Sequence, residues 1–108
     1  MNTITYTIEV EPEECSVRGN ALASGDDAAD RACENEILAR LARGDTWAWC
    51  SVRVVATFAS GQATMMITSD WLGCCSYQDE NDFKAGGYFY DMVRAIGDTI
   101  RAANKVAL

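Results

Sequence analysis

The first residues of the chain alternate between apolar and polar side chains. The apolar positions are Ile4, Tyr6, Ile8 and Val10. A period of two predicts a β-strand with one buried face, and Pro12 should end it because proline cannot donate to a sheet ladder. The residues from 12 to 25 show no clear period, so we predict a long loop there.

The following segment has the spacing of an α-helix. Its apolar stripe is formed by Ala29, Cys33, Ile37 and Leu41, which recur every four residues. Ser24 and Asp27 resemble a capping box in which aspartate replaces the usual glutamate. Gly44 follows the last turn and is typical of a helix C-cap. We therefore predict a helix between these two signals.

Residues 47–58 alternate again, and every even position among them is apolar. We expect these even positions to lie in the core of a sheet. A turn at residues 60–62 and a shorter apolar run at residues 64–68 predict a hairpin. The segment 70–82 is irregular, and from Tyr88 the apolar spacing is helical to the end of the chain.

These elements predict a single α+β domain over residues 1–108 with the order β-α-β-β-α. We expect a two-layer sandwich in which a three-stranded, mainly antiparallel sheet carries both helices on one face. The other face would then carry Trp47 and Trp49, and tryptophan is enriched at the energetic centres of protein interfaces. The alternative is that the N-terminal loop or Trp71 covers both tryptophans.

The 108 residues carry a formal net charge of −7, and the acidic excess is concentrated before and within the first predicted helix. Such a surface repels phosphate backbones, so we expect a basic protein surface as partner rather than nucleic acid. The alternative is that the charge only keeps the domain soluble. The carboxylates that we expect to contact a partner are Glu9, Glu11, Glu13, Glu14, Asp26, Asp27 and Asp30.

Catalytic chemistry has little support in this sequence. The chain contains no histidine, which excludes Ser–His and Cys–His pairs and histidine metal ligands. Cys74 and Cys75 are adjacent and lack the C-x-x-C spacing of redox and zinc sites. Asp79, Glu80 and Asp82 do not match a calcium loop, and we expect them to supply charge at a helix start. We therefore expect a non-enzymatic protein without a metal or cofactor.

The location of the protein is also indicated by absent signals. No apolar run approaches the ~20 residues that span a bilayer, and the first residues do not resemble a signal peptide. An odd number of cysteines, five in all, argues against a disulfide framework. We expect a protein of the reducing cytoplasm that does not bind membranes.

Four stretches together carry a resemblance to a known group of proteins. They are residues 17–27 (VRGNALASGDD), 47–50 (WAWC), 72–77 (LGCCSY) and 83–92 (FKAGGYFYDM). In these the chain resembles small acidic accessory proteins carried by bacteriophages, prophages and plasmids. Proteins of this size, charge and context include anti-CRISPR and other anti-defence proteins, many of which occupy a basic nucleic-acid channel.

The leading hypothesis is therefore a phage-type inhibitor whose carboxylates imitate phosphate on the basic surface of a bacterial defence complex, in the cytoplasm of the host. A second hypothesis is an antitoxin or immunity-like protein that neutralises a basic toxin. A third is a small enzyme that uses Cys74 or Cys75. A fourth is a structural or assembly subunit, which homo-oligomerisation would favour.

Overall fold

Four strands and three α-helices follow one another along residues 4–106, the part of the chain that this computed structural model describes. The elements are β1 (Ile4–Pro12), α1 (Asp27–Ala42), a 3₁₀ turn (Thr46–Ala48), β2 (Cys50–Ser60), β3 (Ala63–Thr68), β4 (Leu72–Cys75), α2 (Glu80–Ala85) and α3 (Gly87–Val106). The predicted α+β class is confirmed. β4 and α2 were not in the predicted order, and both lie within or next to the irregular segment 70–82.

β2 is the central strand, and every neighbour runs antiparallel to it. β1 pairs along almost its whole length, from Ile4 opposite Phe58 to Pro12 opposite Cys50. The other edge of β2 is shared, because β3 pairs with residues 55–60 and β4 with the first residues of the strand. The sheet is therefore three strands wide at both ends, with β3 and β4 placed one after the other along one edge.

The even positions of β2 form the core, as their alternation predicts. Cys50, Val52, Val54 and Ala56 are fully buried. They pack against α2 and α3, which contribute the buried side chains of Phe83 and Ile96 together with several half-buried ones. Burying a large apolar side chain of this kind stabilises a fold by roughly 1.5–3 kcal/mol.

α1 differs from the expected arrangement, because it packs beyond the end of the sheet. Its stripe contains buried Ile37 with Cys33 and Leu41, and it contacts Val17 of the preceding loop and Trp49 next to the 3₁₀ turn. α2 and α3 thus cover the sheet face, whereas α1 builds a separate small core with the loop that follows β1.

The start of α1 is capped two residues later than predicted. The Asp26 carboxylate accepts hydrogen bonds from the backbone N–H groups of Ala28 (3.0 Å) and Ala29 (3.2 Å). Ser24 instead donates its hydroxyl proton to Asp30 at 2.6 Å. The capping-box prediction at Ser24 is therefore wrong, since the extended backbone of Asp26 brings its own side chain over the helix N-terminus.

The carboxylates at the start of α2 behave as predicted, with Glu80 and Asp82 in its first turn. Asp79 is the N-cap and accepts a hydrogen bond from the Asp82 N–H at 2.9 Å. Asp82 accepts one from the Gln78 N–H, also at 2.9 Å.

None of the helices within residues 4–106 is both long enough and apolar enough to cross a membrane.

Candidate functional site

A pocket with three glutamates opens where β1 ends. It has a volume of about 450 Å³, and we call it the acidic pocket. It is lined by Glu11, Pro12, Glu13, Glu14, Ser51 and Trp71. The chain leaves the sheet ladder after Pro12, and this brings the three glutamates to one place beside β2. Three of the carboxylates expected at a partner surface therefore share one concavity.

Glu13 holds the wall of the acidic pocket together. Its Oε2 accepts hydrogen bonds from the Ser51 hydroxyl (2.6 Å) and the Cys74 N–H (2.9 Å), and its Oε1 accepts one from the Cys15 N–H (3.2 Å). These donors, the Ser51 hydroxyl first, lower the pKa of Glu13 from 4.5 to about 2. One ionised carboxylate thus joins the loop after β1 to both β2 and β4.

Glu11 and Glu14 are exposed on the same pocket. Neither forms an ion pair with any residue in the described part of the chain. Their charges are consequently available to a ligand in a way that the charge of Glu13 is not.

Trp71 supplies the aromatic wall and is 40 % exposed. The guanidinium of Arg53 lies 4.5 Å from its ring centroid, and Arg53 also pairs with Glu9 at 2.9 Å. Glu9 is therefore occupied by an internal cation. An exposed aromatic ring beside free carboxylates favours a guanidinium or ammonium ligand, which both groups attract.

The two tryptophans expected on the open sheet face lie elsewhere, and that prediction is wrong. Trp49 is 3 % exposed, and its Nε1 donates a hydrogen bond to the Cys15 carbonyl at 2.6 Å. The loop after β1 covers it, which was the alternative interpretation. Trp47 lies in the 3₁₀ turn rather than in β2, and its ring packs 6.0 Å from that of Phe83.

The three aspartates at the start of α1 are separate from the acidic pocket. Asp26 caps α1, Asp30 accepts the Ser24 hydroxyl, and Asp27 is exposed. Asp27 and Asp30 line another concavity, which also contains Arg31 and Glu34. The structure therefore divides the predicted acidic surface into two patches rather than one.

Buried Glu34 has a structural role beside this second patch. Its carboxylate binds Arg18 at 2.9 Å and accepts the Gly19 N–H at 2.9 Å. These contacts, that of Gly19 first, lower the pKa of Glu34. Arg18, although close to the acidic segment in sequence, is thus occupied by an internal carboxylate.

Sequence reasoning missed an apolar groove between α3 and the edge formed by β3 and β4. Its volume is about 450 Å³. One wall is formed by residues 67–72, and the other by Tyr88, Asp91, Met92, Ala95, Ile96 and Thr99. The available signal was that Tyr88 and Ala95 extend the apolar residues of the last helix beyond the stripe that packs on the sheet.

The cysteines do not form a metal centre in the described residues. No group of three or more cysteine, aspartate or glutamate side chains within residues 4–106 is placed to hold a metal ion. Burial raises the pKa of Cys50 to about 12 and that of Cys75 to about 11, so both thiols are protonated at neutral pH.

The chain was compared with models of protein families, with curated proteins and with solved structures, and no match was found in any of the three comparisons.

Proposed function

We propose that this protein is a non-catalytic inhibitor that binds the basic nucleic-acid-binding surface of a bacterial defence complex, in the cytoplasm of the host. The observation that carries the proposal is the acidic pocket, which exposed Glu11, Glu14 and Trp71 line together. The partner is a protein whose arginine and lysine side chains otherwise hold phosphates.

The pocket suits such a partner because its shape is set before binding. Glu13 is held by three hydrogen bonds, and Trp71 is stacked on Arg53. A preformed site loses less conformational entropy when it binds. A cationic side chain that enters would meet the carboxylates of Glu11 and Glu14 and the ring of Trp71, and each of these attracts a cation.

The charge of the whole chain supports the same partner. A formal net charge of −7 steers a basic surface towards the protein and repels free nucleic acid. The resemblance to small acidic phage and plasmid proteins supplies the biological setting, which includes anti-CRISPR and other anti-defence proteins.

Affinity capture with the tagged protein tests the proposal. The bait is incubated at low salt with lysate of a bacterium that carries CRISPR and toxin systems. We expect recovery of a basic, nucleic-acid-handling complex that competing DNA or high salt releases. High salt screens the carboxylates, and DNA takes their place on the basic surface. Recovery of a single basic toxin would favour the antitoxin function, and the absence of any basic partner would contradict the proposal.

An assembly subunit is the second candidate, and the exposed edge of the sheet favours it. β3 has no strand on its outer edge within residues 4–106, and it exposes Met65 (50 %) and Met66 (65 %). Long exposed edges with apolar side chains pair readily with another chain. In this function, β3 would pair with β3 of a second copy.

Sedimentation equilibrium distinguishes this candidate. An assembly subunit is expected to have twice the mass of the 11.8 kDa chain at concentrations of about 10 μM, and Met66→Lys should return it to a monomer. Tyr90→Lys, on the exposed side of α3, is the matched control and should leave the dimer intact. A monomer at every concentration would exclude this function.

A further inference from the structure

Two cysteines that are far apart in sequence meet beside the acidic pocket. Cys15 lies in the loop after β1 and is half-buried, while Cys74 lies in β4 and is exposed. The Glu13 carboxylate binds the backbone of both, with the Cys15 N–H on Oε1 (3.2 Å) and the Cys74 N–H on Oε2 (2.9 Å). Since the two oxygens belong to one carboxylate, the two cysteine backbones are held as neighbours.

Further contacts fix each cysteine in this position. The Cys15 carbonyl accepts the hydrogen bond from buried Trp49, which anchors the loop. Cys74 has a φ of 55°, a left-handed conformation that non-glycine residues rarely adopt. The interaction with the Cys15 side chain is also the first cause of the raised pKa of the Cys74 thiol.

We propose that Cys15 and Cys74 are an oxidisable pair that closes an intramolecular disulfide when the protein meets hydrogen peroxide. Cys74 is the more exposed of the two cysteines, and its thiolate sulfur attacks one oxygen of the peroxide. The O–O bond breaks, one oxygen leaves as water, and Cys74 becomes a sulfenic acid. The Cys15 sulfur then attacks the Cys74 sulfur and releases a second water. Two thiols lose two electrons and two protons, and hydrogen peroxide is reduced to two waters.

The other cysteines do not compete for this chemistry. Cys50 and Cys75 face each other across β2 and β4, but both are buried with raised pKa values. Burial keeps both thiols away from the peroxide, whereas Cys74 is exposed. Cys33 belongs to the stripe of α1 and packs in the separate core around Trp49.

The Cys74 thiol is itself a slow nucleophile at neutral pH. Its pKa is raised, first by the hydrogen bond with Cys15 and further by burial and by the charges of Cys15 and Glu13. Oxidation is therefore limited by the small thiolate fraction of Cys74, and the Cys15 thiol resolves the sulfenic acid once it has formed. This behaviour fits a protein that stays reduced until peroxide persists.

The bond would tie the loop carrying Glu13 and Glu14 covalently to β4 and so fix one wall of the acidic pocket. Any effect of the bond on partner binding rests on the function proposed above. Formation of the bond does not depend on that function, and it is measured on the free protein.

The test is peroxide oxidation of the folded protein at about pH 8 and micromolar concentration, followed by intact mass and peptide mapping. We expect a mass loss of about 2 Da, one cross-linked peptide pair containing Cys15 and Cys74, and reversal by dithiothreitol. The melting temperature of the oxidised protein should be several degrees higher, because the bond restricts the unfolded chain.

Two single variants and one control complete the test. Cys15→Ser and Cys74→Ser should each abolish the mass loss, whereas Cys33→Ser should retain it. Circular dichroism on each variant confirms that it is folded. A Cys50–Cys75 linkage, dimers joined between chains, or oxygen addition to wild-type protein without any cross-link would overturn the proposal, whatever the result of the affinity capture.

Discussion

Replacing Glu11 and Glu14 together by lysine is expected to weaken binding of the basic partner at least about 100-fold at low salt. Each substitution exchanges an attraction for a repulsion of similar size, and a like charge placed against a basic surface opposes the encounter itself. Both side chains are exposed at the mouth of the acidic pocket. The fold should therefore tolerate the change. Biolayer interferometry against the captured complex measures the affinity.

The matched control is Glu36→Lys with Glu80→Lys, which changes the net charge by the same amount. Both glutamates are exposed, and neither lines the acidic pocket. We expect this control to lose only a few-fold in affinity, through weaker long-range steering. Equal losses in the two double variants would show that net charge alone matters. Full binding by the pocket variant would exclude the acidic pocket as the contact.

The sequence predicts those elements whose signal is local. The even residues of β2, such as Val52 and Val54, were expected in the core from alternation and are fully buried. The stripe around Ile37 likewise predicts the packed side of α1. β4 was not predicted, because it has only four residues and an irregular register against β2, which leave too little alternation to recognise.

The tryptophans show why the site was harder to predict than the fold. Trp47 and Trp49 share the parity of a strand face, but β2 begins only at Cys50, and a 3₁₀ turn precedes it. Both tryptophans therefore lie outside the strand, where alternation does not decide which face a side chain occupies. Trp71, which was expected at most to cover them, is the exposed tryptophan because it lies at the break between β3 and β4.

The sequence placed Glu13 among the acidic residues expected to bind a partner, but it did not show that Glu13 holds the fold together. Its hydrogen-bond donors include Ser51 and Cys74, and no local pattern connects residues so far apart in sequence. The same applies to Glu34, whose partner Arg18 lies in a loop without any periodic signal. Which carboxylates are paired within the fold is therefore decided by tertiary contacts rather than by local sequence.

Glu13→Gln is expected to lower the melting temperature at pH 7 by roughly 5 °C and to flatten the acid side of the stability profile. The amide keeps the shape of the side chain but loses the charge that the Ser51 hydroxyl and two backbone N–H groups bind. The folded-state pKa of about 2 lies below the ordinary value of 4.5. The stabilisation by ionised Glu13 is consequently complete above about pH 4.5 and is lost as the pH falls to about 2.

Thermal unfolding followed by circular dichroism between pH 2 and pH 7 measures this difference. Wild type and Glu13→Gln should converge as the pH falls through that window, because protonation removes from wild type what the substitution has already removed. Glu34, whose pKa is also lowered, keeps part of the acid dependence in both proteins. Glu14→Gln, an exposed neighbour, should follow the wild-type curve. Parallel curves for wild type and Glu13→Gln would mean that the carboxylate charge does not hold the pocket wall. A preformed acidic pocket would then no longer support the proposed function.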